Sequence, residues 1–432
     1  MTPPVQPVTC RPAALMSSAA PPSIPVRIYK LLSGFGLATT LLVILMLLTW
    51  LATLEQVHHG LYATLQKYFH SSEYLVYPDA VLLSEKFAGQ DKKLPPLPGG
   101  YWVCALLVLN LTLGGILRIR KGWKTAGVLM AHFGIIFMII AGGVAQWKEE
   151  RGVMMLAEQP GGGLPQVADY AQSLTETTIE IAELKGGKTV GPVAFVKDAY
   201  YADLAGDKRR TVRLPKLPFD LELQGYVQNA RPMATASVAP ENGEPVVDGW
   251  FLFSQPPNKE TEMDTPGLHA RVLGRDGKEG ENFLLAVTAR APFTVVADGR
   301  TFVLRLDKRV WPVPFQVKLI DARSEYHPNT SRPKLFESDI VRIEDGRESK
   351  VFIEMNEPMR YGGMTFYQRT MMNGATGTDR EASVSGFEVV KNPSDKWPEY
   401  SIYLSGFGLC LHFLMKLGGF LFRGKSNPVS QA

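Results

Sequence analysis

Four apolar runs divide this chain, and their spacing constrains everything between them. They cover about Leu31–Leu54, Tyr101–Leu117, Ala126–Ala145 and Ser401–Phe422. Each approaches or exceeds the roughly 18–20 residues that a spanning helix needs. Between the third and fourth runs lie about 250 mostly hydrophilic residues. The overall hydrophobic content of 45% looks ordinary only because it averages two very different kinds of sequence. The expected fold is a membrane protein with four transmembrane helices in a 3+1 arrangement. A large, mainly antiparallel β extracytoplasmic domain separates the third helix from the fourth.

Basic residues in short loops set the orientation, because such loops stay cytoplasmic. Arg11, Arg27 and Lys30 precede the first run; Arg118, Arg120, Lys121 and Lys124 fill the loop after the second; Arg423 and Lys425 follow the fourth. Four spans place these three clusters on one side, so both termini are expected in the cytoplasm of a bacterial plasma membrane. The expected division follows. Residues 1–30 form a cytoplasmic tail, rich in Pro, Ser and Ala and disordered. Residues 31–146 hold three helices, with an outer interfacial loop at 55–100 and a basic loop at 118–124. Residues 147–399 form the β-rich domain, 400–422 the fourth helix and 423–432 a second cytoplasmic tail. The first run is too long for a secretory signal and lacks a convincing cleavage site, so it reads as an uncleaved anchor.

The net charge of +4 is accounted for by these loops and gives no reason to expect nucleic acid. The cysteines are Cys10, Cys104 and Cys410, none of them in the exported segment. That segment therefore has no disulfide framework and no thiol exchange of its own. Without a C-x-x-C-H sequence, the chain carries no covalently attached c-type haem. Val57, Leu61, Leu65 and Phe69 recur at helical spacing and predict a helix lying in the outer interface. Farther on, Thr178–Leu184, Phe219–Leu223, Phe302–Leu306 and Phe315–Ile320 alternate as strands, with turn chemistry at Gly161–Gly163 and Gly186-Gly187. A sandwich or barrel-like assembly is expected.

His132 stands inside the third run, where an imidazole has no water to satisfy it. Ionisable residues at such depth face a partner, a cavity or a cofactor. Neutral imidazole is a common haem ligand, and His132 reads as an axial ligand of haem iron. His412, in the fourth run, lies at comparable depth and is a second candidate, either for the same haem or toward a partner subunit. Lys416, one turn away, reads as snorkelling to the headgroups. His58 and His59 read as a solvated interfacial pair. His70, His269 and His327, with no second ligand at metal spacing, read as surface residues. No nucleophile–base pair stands out, so no catalytic residue is assigned.

Several segments together resemble the ResB (CcsB) family of system II cytochrome c biogenesis proteins. They are Leu48–Gln56 with the following His-Gly-Leu-Tyr-Ala-Thr, Pro96–Tyr101, Arg118–His132, Met355–Tyr361 and Thr365–Gln368. The resemblance implies one half of a haem-handling complex. Its CcsA-type partner, apocytochrome c and a thioredoxin-like thiol reductant are the implied associates, and haem b is the implied cargo, transported or transiently bound. It also implies that His132 is the family's intramembrane ligand; His412 matches no family position. The segment MNEPMRYGGMTFYQ reads as turns and strands, with Tyr361, Phe366 and Tyr367 in a core. Two other functions fit the residues: a b-type cytochrome subunit with His132 and His412 as bis-His ligands, and a cofactor-free membrane scaffold or receptor. On the first reading thioether formation belongs to the complex rather than to this chain alone.

Overall fold

The computed structural model describes residues 23–79, 92–160, 163–240, 244–275, 279–330, 332–372 and 383–423. Cys10, Arg11, Lys425, the turn at Gly161-Gly162 and the expected disorder of the first tail up to residue 22 lie outside these residues. Four helices are long and apolar enough to cross a membrane: Phe35–His59, Gly100–Leu117, Trp123–Lys148 and Trp397–Leu421. We label the helices α1 (Ile24–Leu32), α2 (Phe35–His59), α3 (Leu61–Phe69), α4 (Gly100–Asn110), α5 (Ala126–Lys148) and α6 (Trp397–Arg423). The first apolar run starts later than its hydropathy suggests, because the chain breaks at Ser33-Gly34. Asn110 Nδ2 donates to Leu32 O at 2.7 Å and Gly34 O at 3.0 Å. It thereby satisfies carbonyls that the end of α1 leaves open. The interfacial helix is also shorter than expected. Gly60, at φ +78°, separates Val57 in α2 from α3.

The chain divides into two compact units. The first gathers residues up to Met46, Trp102–Phe137 and the chain from Tyr400 onward. Within it α5 and α6 pack through small residues. A Cβ on Gly127 would fall 2.5 Å from Gly408 O, and one on Gly408 would fall 2.7 Å from Gly127 O. Helices in hydrocarbon gain no hydrophobic drive from meeting, so such close backbone approach supplies the packing energy.

The second unit, Leu47–Tyr101 with Met138–Glu399, contains the β structure. Its largest sheet has ten strands, antiparallel throughout. Two long strands, Val167–Lys185 and Arg300–Tyr326, pair along most of their length and serve two separate cores. Phe302, Leu304 and Leu306 enter one core at even positions, whereas Trp311, Val313, Phe315, Val317 and Leu319 enter the other at odd positions. Successive side chains point to opposite faces of a strand, so even and odd positions can serve different cores; between Lys308 and Val310 the pairing also shifts, from Thr177 to Gln172 on the partner strand. The first core draws on both ends of the strand order, including Ile353 and Met359, so the sheet curls until its ends share an interior. In the second core, Ile179, Ile181, Phe302 and Leu304 meet Phe219, Leu221, Leu268 and Phe283 of a four-stranded sheet. Phe219 and Phe302 meet edge to face at 5.4 Å. Both expected architectures are therefore present, a barrel-like half and a sandwich half joined by shared strands.

Candidate functional site

The second apolar run ends as a π-helix over Leu111–Leu117, continuous with α4. Any helix leaves its last carbonyls without intrahelical partners, and Gly115 is among them. In a bilayer no water fills that gap. His132 fills it: its Nδ1 lies 3.1 Å from Gly115 O. A carbonyl only accepts, so Nδ1 must carry a proton; in a neutral ring the lone pair is then on Nε2. Nε2 has no hydrogen-bond partner among the described residues, and the side chain is only half-buried. Metal-binding imidazoles are commonly oriented in this way, by a backbone carbonyl on the other nitrogen. Gly115 is required for the contact. A Cβ there would lie 2.9 Å from His132 Nδ1.

His412 has different neighbours. Its backbone packs against Gly127, five residues before His132, which corresponds to about 7.5 Å along α5. Its Nδ1 is buried without a hydrogen-bond partner, as is Ser405 Oγ on the same helix. No hydrogen bond or ring contact joins His412 to His132 among the described residues; the ring next to His412 is that of Phe413. What the structure joins to His132 is the end of the second span.

A second cluster lies at the far end of α2, and sequence reasoning missed its centre. Glu55 is 1% exposed and fully engaged: Tyr68 Oη donates to its Oε2 at 2.7 Å, the Asp79 backbone N–H donates to the same oxygen at 3.3 Å, and Lys67 Nζ pairs with its Oε1. Burial and the Glu55 carboxylate together push the Tyr68 phenol well above its ordinary range. His59 Nε2 lies 3.3 Å from Asp79 Oδ2, so His59 is exposed but partnered, and not merely a solvated residue. The available signal was a carboxylate one turn before a histidine at the end of an apolar run.

His269 overturns its reading as a surface residue. It is 6% exposed in the strand Gly267–Gly274, and burial pushes its pKa down. The strand lies inside the four-stranded sheet, paired on both sides, which encloses a side chain that the sequence alone left outside. His327 is exposed and His70 bonds to Ser72, outside any ligand cluster. In the MNEPMRYGGMTFYQ segment Phe366 is fully buried and Tyr361 packs against the first core, while Tyr367 is only partly buried and lies outside that cluster. Asn356, Gly362 and Gly363 adopt positive φ, consistent with turns there. Tyr361 Oη donates to Glu344 at 2.5 Å, and the Arg342 guanidinium covers its ring at 3.4 Å.

A search of curated proteins found no match. The model of the ResB-like family matches residues 119–392, from the basic loop through α5 and the strands from Glu150 to Lys391. The match includes His132 and covers well over half of the sequence, and on that basis the chain belongs to the ResB-like family.

Proposed function

We propose that this chain is a cytochrome c biogenesis subunit that helps carry haem across the plasma membrane and present it to apocytochrome c. Membership of the ResB-like family supports the process. One observation supports the role of His132: Gly115 O accepts a hydrogen bond from Nδ1–H, which leaves the Nε2 lone pair unshared inside an apolar helix. Haem is the cargo, and His132 Nε2 is the atom that would hold its iron. The ring comes to that task already oriented, which lowers the entropic cost of ligation. His412, with its unsatisfied Nδ1, is a second position for contact with haem or with a helix of the partner. The partner is of the CcsA type, with a thioredoxin-like reductant keeping the client thiols reduced. Both termini face the cytoplasm and the β structure faces outward, where the client is.

The test is co-expression with a CcsA-type partner, followed by haem quantitation and scoring of mature c-type cytochrome. His132→Ala is expected to lower both. Unchanged haem content and maturation in that variant would remove the ligand role. Haem that stays stoichiometric and reversibly reducible without the partner would instead indicate a resident electron-transfer haem.

A further inference from the structure

We propose that Glu55, His59 and Asp79 form a site for a divalent transition-metal ion of the zinc type, at the end of α2. Glu55 and His59 are four residues apart on one helix, so both project from the same face. Asp79 approaches from the segment that follows α3. One ligand atom from each residue lies within 4.8 Å of the other two.

The spacing within the cluster accommodates an ion as well as the direct contact of His59 with Asp79. A charge-assisted hydrogen bond between imidazolium and carboxylate would close to about 2.7–2.9 Å. His59 Nε2 and Asp79 Oδ2 are 3.3 Å apart. Two ligands of one tetrahedral zinc ion, each bonded at about 2.0–2.1 Å, stand about 3.3–3.4 Å apart. One imidazole with two carboxylates is a donor set for a borderline ion, not for calcium or magnesium. The side chains grade from 1% exposed at Glu55, through 16% at Asp79, to 48% at His59, leaving an open side for ion entry and a water ligand.

Two lysines compete for the same oxygens. Lys67 pairs with Glu55 Oε1, and Lys93 Nζ lies 3.9 Å from Asp79 Oδ2. Glu55 Oε2 is held by Tyr68 and by the Asp79 N–H, whereas Oε1 would be freed for a metal if Lys67 moved away. Lys67 is 30% exposed and can do so. The bound ion would tie the end of α2 to the chain after α3, fixing α3 between them.

Competition gives the test its sign. The full-length chain, purified in detergent and stripped with a chelator, is titrated with zinc and, separately, with cobalt(II). One zinc per chain is expected, with affinity weakened about tenfold or more by His59→Ala or Asp79→Asn. Lys67→Met is the discriminating variant. It is expected to bind zinc severalfold more tightly and to recover thermal stability on adding zinc, because the metal replaces the lost cation beside a buried carboxylate. The visible bands of bound cobalt should shift in His59→Ala. Zinc uptake by wild type no greater than by a His59→Ala/Asp79→Asn chain overturns the proposal, as does a Lys67→Met chain that zinc neither binds nor stabilises. These titrations need neither haem nor a partner, so they succeed or fail independently of the role of His132.

Discussion

Replacing Gly115 with alanine tests how His132 is held without touching the histidine. The new Cβ would fall 2.9 Å from His132 Nδ1, 3.1 Å from Cγ and 3.3 Å from Cε1. Ordinary contact begins near 3.5 Å, so the ring must retreat by about half an ångström. The 3.1 Å bond to Gly115 O then stretches to about 3.6 Å, beyond hydrogen-bond range. The direct loss is one intramembrane hydrogen bond, about 0.6–2 kcal/mol. The functional loss is larger, because the carbonyl no longer selects the tautomer that exposes Nε2. Removing such an orienting partner typically costs about 10–100-fold in metal affinity, roughly 1.4–2.7 kcal/mol. The assay is haem titration of the co-purified complex, followed by its Soret absorbance. Gly142→Ala is the matched control, on the same helix as His132 with nothing within 4 Å of the new Cβ. Gly115→Ala should weaken haem binding by at least tenfold while Gly142→Ala leaves it unchanged. Equal affinities in the two variants would refute the carbonyl's orienting role.

Other perturbations probe the framework. Gly60→Ala places a Cβ 1.8 Å from Lys259 O at a φ of +78°, and should lower the melting temperature by disrupting both the backbone turn and the Lys259 Nζ bond to Val57 O. Phe302→Ala empties a fully buried site opposite Phe219 and should cost about 3–5 kcal/mol in unfolding measurements. His269 contributes a pH dependence of its own. Burial lowers its folded pKa, so its unfolded form takes up a proton more readily. Its contribution is therefore complete above the ordinary value of about 6.5 and is lost as pH falls from there through the depressed folded value. Between about pH 7 and pH 5, the wild type should lose more melting temperature than His269→Gln.

Much of this fold was legible because hydropathy and alternation are local signals. The four apolar runs became four long helices, and the strands at Thr178–Leu184, Phe219–Leu223, Phe302–Leu306 and Phe315–Ile320 all formed. What local pattern could not show was that Phe302–Leu306 and Phe315–Ile320 belong to one strand serving two cores. That depends on which distant strands cover each face of the sheet, and on a shift in pairing register at Lys308–Val310. The break at Ser33-Gly34 was equally hidden, since Asn110, which satisfies it, lies far away in sequence. His132 stood out because it is costly where it sits. Its partner Gly115 did not, since a backbone carbonyl leaves no mark in composition. Glu55 and His269 were missed for a related reason: burial arises from the pairing of distant segments.

Ligation of haem iron by His132 Nε2 is tested most directly by changing the ligand atom and recording the spectrum. The complex of this chain with a CcsA-type partner is purified as wild type, His132→Ala and His132→Cys, with and without added imidazole. Ligation predicts haem loss in His132→Ala, partial recovery with imidazole, and a thiolate-shifted Soret band in His132→Cys. Three complexes with the same haem content and the same spectrum would contradict it.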